Sequence, residues 1–297
     1  MRVLVTGAGG MVGRAVSEYC RSIGDVVRGF DHRSLDISDQ DLVRQTLIAE
    51  QPEAVINCAA WTDVDGCELD RERANAANAR GPENLAKASR ECGALLITIS
   101  TDYVFDGRKT GFYNQRDDPH PESVYGMSKL EGERRVQVAS ARAIVVRTGF
   151  VFGSGGTNFL STIVSRARRG EKLKAISDSF GTPTYAWDLG VRLRELAQRD
   201  LPGTYHVVNA GDGVSYEEFA GQALELSGQP SDIESVEMDS LYRPAPRPRN
   251  SRLKCLLSEA IGLPPLPFWR DSLRDFVALD APGDTRTDLP TQVAARS

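Results

Sequence analysis

The first thirteen residues constrain the fold of this chain more than any other segment does. Residues 2–5 lie in a short apolar run of the kind found in buried parallel strands. Gly7, Gly10 and Gly13 follow, and their spacing permits a tight turn, a close approach of backbone to ligand, and close packing of a helix on the strand. A strand, a glycine-rich turn and a helix in this order predict a pyrophosphate site at the helix amino terminus.

Strand and helix patterns alternate through the first half of the chain. Strands are predicted at residues 3–5, 26–30, 54–58, 95–100 and 143–148. Helices are predicted between them, at residues 11–22, 39–50, 68–91 (with a break near Gly81) and 125–140. This alternation predicts right-handed crossovers and an α/β fold with a doubly wound parallel sheet of Rossmann type.

The pattern becomes mixed after residue 148, which predicts a second and smaller unit. Further helices are expected at residues 159–169, 215–227 and 269–279, a strand at 204–208, and an irregular loop at 242–252. We expect a dinucleotide-binding domain at residues 1–151 plus about 184–210, and a mixed α/β substrate domain at about 152–183 and 211–281. The polar tail at residues 282–297 is expected to be disordered.

Composition argues against several classes of protein. The chain has 297 residues and a net charge of −5, without the block of lysine and arginine that favours nucleic acid as a partner. No segment is long and apolar enough to span a bilayer, and the chain enters a strand at once rather than a signal peptide. Five cysteines without a C-x-x-C pair, and only three histidines, predict no metal site and a reducing, cytoplasmic location.

The end of the second predicted strand carries a candidate for ribose recognition. Asp31 lies roughly 20 residues beyond the glycines, where a carboxylate can accept hydrogen bonds from both ribose hydroxyls. Arg28 and Arg33 are close enough in sequence to neutralise a 2′-phosphate, so NADH and NADPH both stay open, with NADPH slightly favoured. Asp36 and Ile37 are candidates to bracket the adenine, although this segment also has the composition of a helix cap.

Ligands of open α/β sheets bind outside the carboxyl ends of the strands. After the third predicted strand, Ala59 and Ala60 are small enough to let a cofactor pass, while Val64 and Asp65 lie further out, where a substrate would sit. After the fourth strand, the hydroxyls of Ser100 and Thr101 can donate to a carbonyl oxygen. Residues of these types also serve ordinary turns, so their shared position at one edge of the sheet is what favours a site.

Tyr125 and Lys129 are the most informative pair for the chemistry. Their spacing of four residues places both side chains on one face of the predicted helix. A fixed ammonium favours the phenolate, so we expect the pKa of Tyr125 to lie below its ordinary value of about 10. Such a pair can exchange a proton with a carbonyl or alcohol oxygen near neutral pH. The same spacing occurs by chance in many helices, and it gains weight here from the glycine turn.

These segments together resemble the extended short-chain dehydrogenase/reductases and, within them, the dTDP-4-dehydrorhamnose reductase family. The resemblance is carried, in family order, by residues 6–13, 57–65, 78–86, 100–107, 125–133, 147–153, 180–184 and 247–253. It implies a reduction, with NADPH or NADH, of the C4 ketone of a dTDP-4-keto-6-deoxyhexose such as dTDP-4-dehydro-L-rhamnose. It also implies a homodimer as one expected state.

The resemblance also implies roles for individual residues. Catalysis is expected from Thr101, Tyr125 and Lys129. Cofactor contacts are expected from Gly7, Gly10, Met11, Val12, Asp31, Asp36, Ile37, Ala59, Ala60, Thr62, Tyr125 and Lys129. Substrate contacts are expected from Val64, Asp65, Asp102, Tyr103, Phe150 and Arg249. Arg249 is one of three arginines, with Arg247 and Arg252, whose guanidinium groups suit a diphosphate.

Two departures from the family pattern concern the sugar. The family usually has Ser-Trp where this chain has Gly149-Phe150, and it often has glutamine where this chain has Ser179. Phe150 keeps an apolar face but lacks the indole N–H. Two alternatives therefore stay open: a reductase of another nucleotide-linked 4-keto deoxysugar, and a non-catalytic NADP-binding regulatory subunit like that of methionine adenosyltransferase.

Overall fold

A central parallel sheet with helices on both faces organises the protein, for which a computed structural model describes residues 1–279. The helices are Met11–Ser22 (α1), Gln40–Glu50 (α2), Val64–Leu69 (α3), Arg71–Asn75 (α4), Gly81–Cys92 (α5), Val124–Ala139 (α6), Phe159–Arg168 (α7), Ala186–Arg199 (α8), Tyr216–Leu226 (α9), Leu257–Ala260 (α10) and Trp269–Leu279 (α11). The strands are Arg2–Thr6 (β1), Val26–Phe30 (β2), Ala54–Asn57 (β3), Leu95–Thr101 (β4), Ala143–Thr148 (β5), Val151–Phe152 (β6), Leu173–Ile176 (β7), Phe180–Gly181 (β8), Thr184–Tyr185 (β9), Gly203–His206 (β10), Val214–Ser215 (β11) and Ile233–Val236 (β12).

The main sheet has six parallel strands in the order β10-β5-β4-β3-β1-β2. Strand β1 pairs with β2 on one side and with β3 on the other, so the direction of winding reverses between β1 and β3. Ligands of such sheets bind at this reversal, outside the carboxyl ends of the strands. The expected α/β fold with a doubly wound parallel sheet is confirmed.

Alternation along the buried strands explains how the sheet holds helices on both faces. Val3 and Val5 of β1 point into a cluster with Val16 of α1 and Leu193 of α8. Leu4, between them, points into the opposite cluster with residues of α2, α5 and α6. Successive strand side chains face opposite sides, and both sides here are apolar, as expected of a parallel sheet covered on both faces.

The segment predicted as one helix at residues 68–91 is divided. It contains α4, a π-helical turn at Ala76–Arg80, and α5, and the predicted break at Gly81 is confirmed. Pro82 lies in the first turn of α5, where its missing N–H costs no helical hydrogen bond. Sequence reasoning did not predict α8, although Leu189, Leu193 and Leu196 have helical spacing and all face the core.

A second apolar cluster, rich in aromatic residues, is built mainly from the carboxyl-terminal half. It includes Phe152, Phe219, Trp269 and Phe276, together with apolar residues of α7 and β7. The helices expected at 215–227 and 269–279 are confirmed as α9 and α11, and α9 begins with a capping box between Ser215 and Glu218. The proposed division into a dinucleotide-binding and a substrate domain stays a prediction, and the tail at 282–297 lies outside the described residues.

Within residues 1–279, no helix has both the length and the apolar character that crossing a bilayer requires.

Candidate active site

The glycine turn after β1 lies against the carboxyl end of β3. Gly7 has a φ of 65°, and a Cβ at this position would lie 2.7 Å from the backbone nitrogen of Ala59. Only glycine therefore fits both the left-handed conformation and the close approach of the two strand ends. Gly10 caps α1 without a side-chain hydrogen bond, which leaves the first amide groups of the helix for an anion.

A cavity of about 740 Å³ opens above this turn, along the carboxyl ends of β1, β3, β4 and β5. It brings together thirteen of the residues expected from sequence: Met11, Val12, Ala59, Ala60, Thr62, Val64, Asp65, Thr101, Asp102, Tyr103, Tyr125, Lys129 and Phe150. The residues come from five separate segments of the chain. The cavity extends from Met11 and Val12, at the start of α1, to residues of the second apolar cluster. The other residues expected to contact the cofactor lie outside its lining: Gly7, Gly10, Asp31, Asp36 and Ile37.

Helix α6 places Tyr125 and Lys129 in this cavity. Ser123 caps the helix by accepting a hydrogen bond from the amide of Gly126, which sets Tyr125 in the first turn and Lys129 in the next. The Lys129 ammonium is buried and donates to the carbonyl oxygen of Ile99 at 2.6 Å. A hydrogen bond with Thr101 also acts on the Tyr125 phenol. The three residues expected to be catalytic therefore converge at the end of β4.

The expectation that Lys129 lowers the pKa of Tyr125 is wrong for this structure. Burial raises the pKa of Tyr125 above its ordinary value, against a smaller opposing effect of the Thr101 hydrogen bond. Burial also lowers the pKa of Lys129 to about 8, opposed by Glu133. Tyr125 thus holds its proton at neutral pH, as a proton donor must.

Asp31 lies at the end of β2, beside the glycine turn. A Cβ on Gly9 would lie 3.6 Å from the Cβ of Asp31, so the carboxylate lies close to the turn. It accepts hydrogen bonds from the amides of Arg33 and Ser34, and it is exposed. The Ser34 hydroxyl hydrogen bond is the main reason that the pKa of Asp31 is lowered. The carboxylate is therefore ionised and fixed in direction by its own turn.

Asp36 and Ile37 lie outside the cavity lining, and their contact with an adenine stays a prediction. The Asp36 carboxylate accepts hydrogen bonds from the amide and hydroxyl of Ser38, which is a local turn. The Ile37 side chain is 5% exposed and packs in the core, where a Cβ on Gly81 would touch it at 2.6 Å. Because the side chain is committed to the core, any contact of Ile37 with an adenine has to come from its backbone.

Two of the three candidate arginines lie outside the cavity. Arg247 lines it and makes two contacts with Asp65, at 2.7 and 2.8 Å. Arg249, the residue expected to contact substrate, instead pairs with Asp178 and Asp239 on the surface, and its side chain is 46% exposed. Arg252 donates to the carbonyl oxygen of Thr110. The sequence could not separate these arginines because they alternate with proline and asparagine in one irregular loop.

Phe150 forms an apolar wall of the cavity. Its backbone has a φ of 47°, which is uncommon for a residue with a side chain, and its ring lies 4.4 Å from that of Tyr216. The preceding residue, Gly149, leaves room for the buried Asp102, since a Cβ there would lie 2.3 Å from the Asp102 carboxylate. A serine at position 149, as the family usually has, would require this carboxylate to move. The Gly149-Phe150 departure is thus coupled to Asp102.

Sequence reasoning missed the residues that close the far end of the cavity. These are Asn158, Phe159, Leu160, Lys174, Ala175, Ile176, Tyr216, Val236, Leu241 and Arg243. They come from α7, β7, α9, β12 and the loop beyond it. The capping pattern located α9, but no pattern in the sequence indicated that its first residue, Tyr216, would meet Phe150.

The chain is similar to a family model, to known proteins and to a solved structure. The sequence model of the family described as the RmlD substrate binding domain matches residues 1–281. A dTDP-4-dehydrorhamnose reductase of Mycolicibacterium smegmatis is 38% identical, covering 98% of this chain and 89% of that protein. The spore coat polysaccharide biosynthesis protein SpsK of Bacillus subtilis is 37% identical, covering 93% and 96%. The crystal structure of a Bacillus anthracis dTDP-4-dehydrorhamnose reductase in complex with NADP is 34% identical, with a TM-score of 0.90 over 93% of this chain and 98% of that one.

Proposed function

The chain belongs to the RmlD substrate binding domain family, and we propose on that premise that it is an NAD(P)H-dependent oxidoreductase of nucleotide sugars. The proposed reaction reduces the C4 ketone of a dTDP-4-keto-6-deoxyhexose, converting dTDP-4-dehydro-L-rhamnose to dTDP-L-rhamnose. One observation carries the proposal: Thr101, Tyr125 and Lys129 meet in one cavity with Met11 and Val12, the residues that directly follow the glycine turn. A regulatory protein without catalysis would not need this arrangement.

The residues at the turn fit a dinucleotide. Gly7 brings the turn against β3, the uncapped start of α1 presents backbone amides, and Asp31 accepts hydrogen bonds beside it. These groups would hold the pyrophosphate and the adenosine ribose, and Ala59 and Ala60 would border the path to the nicotinamide. The Bacillus anthracis relative binds NADP, which supports NADPH as the coenzyme, with NADH as the second choice.

When bound, the reduced nicotinamide supplies the hydride that the ketone carbon receives. Tyr125 gives its proton to the carbonyl oxygen, because burial keeps the phenol protonated until negative charge develops on that oxygen. Thr101 donates a hydrogen bond to the same oxygen. Lys129, whose position is fixed by the carbonyl of Ile99, would hold the nicotinamide ribose.

The far half of the cavity suits the nucleotide sugar. Arg247, with Arg243 beside it along the loop, would bind the diphosphate, for which a guanidinium is well shaped. Phe150 and Tyr216 would pack against an apolar part of the substrate, with Val64 and Tyr103 nearby in the lining. Contacts remote from the ketone supply binding free energy that holds the reacting carbon in place.

A reductase acting on another nucleotide-linked 4-keto sugar is the second candidate. The Gly149-Phe150 pair favours it, because this pair alters the wall of the cavity and its relation to Asp102.

The five free cysteines support a reducing cytoplasm as the location. A homodimer remains part of the proposal, and light scattering of the purified protein tests it.

The reaction is tested by incubating the purified protein with dTDP-4-dehydro-L-rhamnose and following the oxidation of NADPH and NADH separately at 340 nm. We expect turnover with at least one coenzyme, and dTDP-L-rhamnose as the product by NMR. A panel of other dTDP-4-keto sugars distinguishes the second candidate. Coenzyme that binds but is not oxidised with any of these sugars would contradict the proposal.

A further inference from the structure

Glu133 continues a series of polar side chains on one face of α6. Tyr125, Lys129 and Glu133 are spaced by four residues, so they lie one above the other along the helix. Glu133 lies outside the cavity lining, and its side chain is 4% exposed. A carboxylate buried this deeply must be compensated by neighbouring groups.

Two neighbouring strands supply that compensation. The Ser100 hydroxyl of β4 donates to the Glu133 carboxylate at 2.5 Å. Arg147 of β5 donates to the same carboxylate through Nε at 3.0 Å and through Nη2 at 2.7 Å. The Arg147 guanidinium also lies over the ring of Phe105, 5.2 Å from its centroid. The hydrogen bonds from Ser100 and Arg147 therefore hold the carboxylate in one position, one helical turn beyond Lys129.

The groups around Lys129 are not balanced in charge without Glu133. Burial raises the pKa of the Cys58 thiol to about 12, so this neighbour at the end of β3 is neutral. Burial lowers the pKa of His206, beside Arg147, to about 4, so the imidazole is also neutral. Asp102 faces Tyr125 from the end of β4. Two buried cations, Lys129 and Arg147, thus share the charge of Glu133.

We propose that Glu133 is a positioning residue that keeps Lys129 charged and in place beneath the coenzyme ribose. Burial alone disfavours an ammonium, and the carboxylate one turn away offsets this across the low-dielectric interior. The ion pair with Arg147 is weak support for a purely structural role, because apolar side chains often replace buried ion pairs without loss of stability. The inference rests on the proposed function, in which Lys129 binds the nicotinamide ribose.

Two variants separate this role from a structural one. Glu133→Gln removes the negative charge and leaves Lys129 beside Arg147, so Lys129 should lose its proton at lower pH. Glu133→Asp keeps the carboxylate and its charge, so the titration of Lys129 should stay closer to that of the unmodified protein. A unit charge about one helical turn away, at an effective dielectric constant of about 20, shifts a titration by roughly one to two pH units.

The measurement is the dissociation constant of NADPH between pH 6 and pH 10, from nucleotide fluorescence, with circular dichroism at each pH as a control for folding. In the unmodified protein the affinity should weaken as pH rises through about 8, where Lys129 loses its charge. The inflection should move down by roughly one pH unit or more in Glu133→Gln and by clearly less in Glu133→Asp.

Glu133→Asp shortens the side chain and disturbs packing more than Glu133→Gln does, so a purely structural role predicts the larger shift in Glu133→Asp, whereas the proposal predicts it in Glu133→Gln. A Glu133→Gln inflection that coincides with that of the unmodified protein, or equal shifts in the two variants, would overturn the proposal. If Glu133→Gln fails to fold, the unmodified protein still tests the charge, because an NADPH affinity that does not weaken as pH rises through about 8 would overturn the proposal. An unmodified protein that binds neither NADPH nor NADH at any pH would overturn the proposed function, and this inference with it.

Discussion

Replacing Arg247 by alanine should weaken substrate binding far more than the same change at Arg249. The two arginines lie two residues apart in one loop, but Arg247 lines the cavity with a side chain that is 13% exposed, while Arg249 pairs with Asp178 and Asp239 on the surface. A charge-assisted hydrogen bond contributes roughly 1.5–3 kcal/mol. At 1.4 kcal/mol per factor of ten, Arg247→Ala should raise KM for the nucleotide sugar by roughly 10- to 100-fold. Exposed ion pairs contribute about 0–1 kcal/mol, so Arg249→Ala should stay within about fivefold.

The assay is the initial rate of NADPH oxidation at increasing sugar concentration. The loss should appear mainly in KM, because the diphosphate is remote from the reacting carbon and its contacts are the same in the ground and transition states. Asp65 loses its partner in the Arg247 variant, so Asp65→Asn, which keeps the guanidinium and removes its charged partner, measures how much of the loss comes from that pairing. Equal losses for Arg247→Ala and Arg249→Ala would refute the assignment of Arg247 to the diphosphate.

Three further predictions follow from the same geometry. Tyr125→Phe should lower kcat by roughly 10²- to 10⁴-fold while NADPH affinity is retained, and unchanged turnover would exclude Tyr125 as the proton donor. Burial raises the pKa of Asp102 to about 6, so its contribution to stability is present below about pH 4 and is lost as pH rises through 6. Denaturant titrations should therefore show Asp102→Asn gaining up to about 3 kcal/mol relative to the unmodified protein between about pH 4 and pH 7, and a constant difference would contradict this. Arg28 pairs with Glu50 at 3.2 Å, which leaves Arg33 as the candidate for a 2′-phosphate, so Arg33→Ser should raise the Kd of NADPH about 10-fold and leave that of NADH unchanged.

The sequence predicts those parts of the fold and the site that depend on the local pattern of residues. Residues 2–13 indicated strand, turn and helix, because apolar runs and glycine spacing are local properties, and the fold they predicted is the one observed. The convergence of Thr101 with Tyr125 could be expected for a similar reason, since parallel strand ends and the helix amino termini that follow them lie at one edge. The family resemblance then extended the expected site to residues such as Thr62.

The remaining parts of the site depend on contacts between distant segments. Tyr216 meets Phe150 across 66 positions only because α9 packs against α7 and β7, and no periodicity in the sequence encodes that meeting. The sequence led us to expect Arg249 rather than Arg247 as a substrate contact. The spacing of proline and arginine in this loop does not show which guanidinium pairs with Asp65. The expectation for the pKa of Tyr125 is wrong because helical spacing shows that Lys129 is near but not that the phenol is buried.

Burial shifts the pKa values of the two titratable groups that α6 brings to the cavity in opposite directions. This explains the positions of the two carboxylates near them, Glu133 and Asp102. Burial favours the neutral form of both titratable groups, which suits Tyr125 as a proton donor but removes the charge that Lys129 needs to hold a ribose. An anion is therefore required beside the lysine, and Glu133 lies one turn beyond Lys129, two turns away from the phenol. Asp102, which does face Tyr125, acts in the same direction as burial and keeps the proton on the phenol. The spacing of four residues from Tyr125 to Lys129 to Glu133 thus lets one helix hold a neutral phenol and a charged ammonium in the same buried cavity.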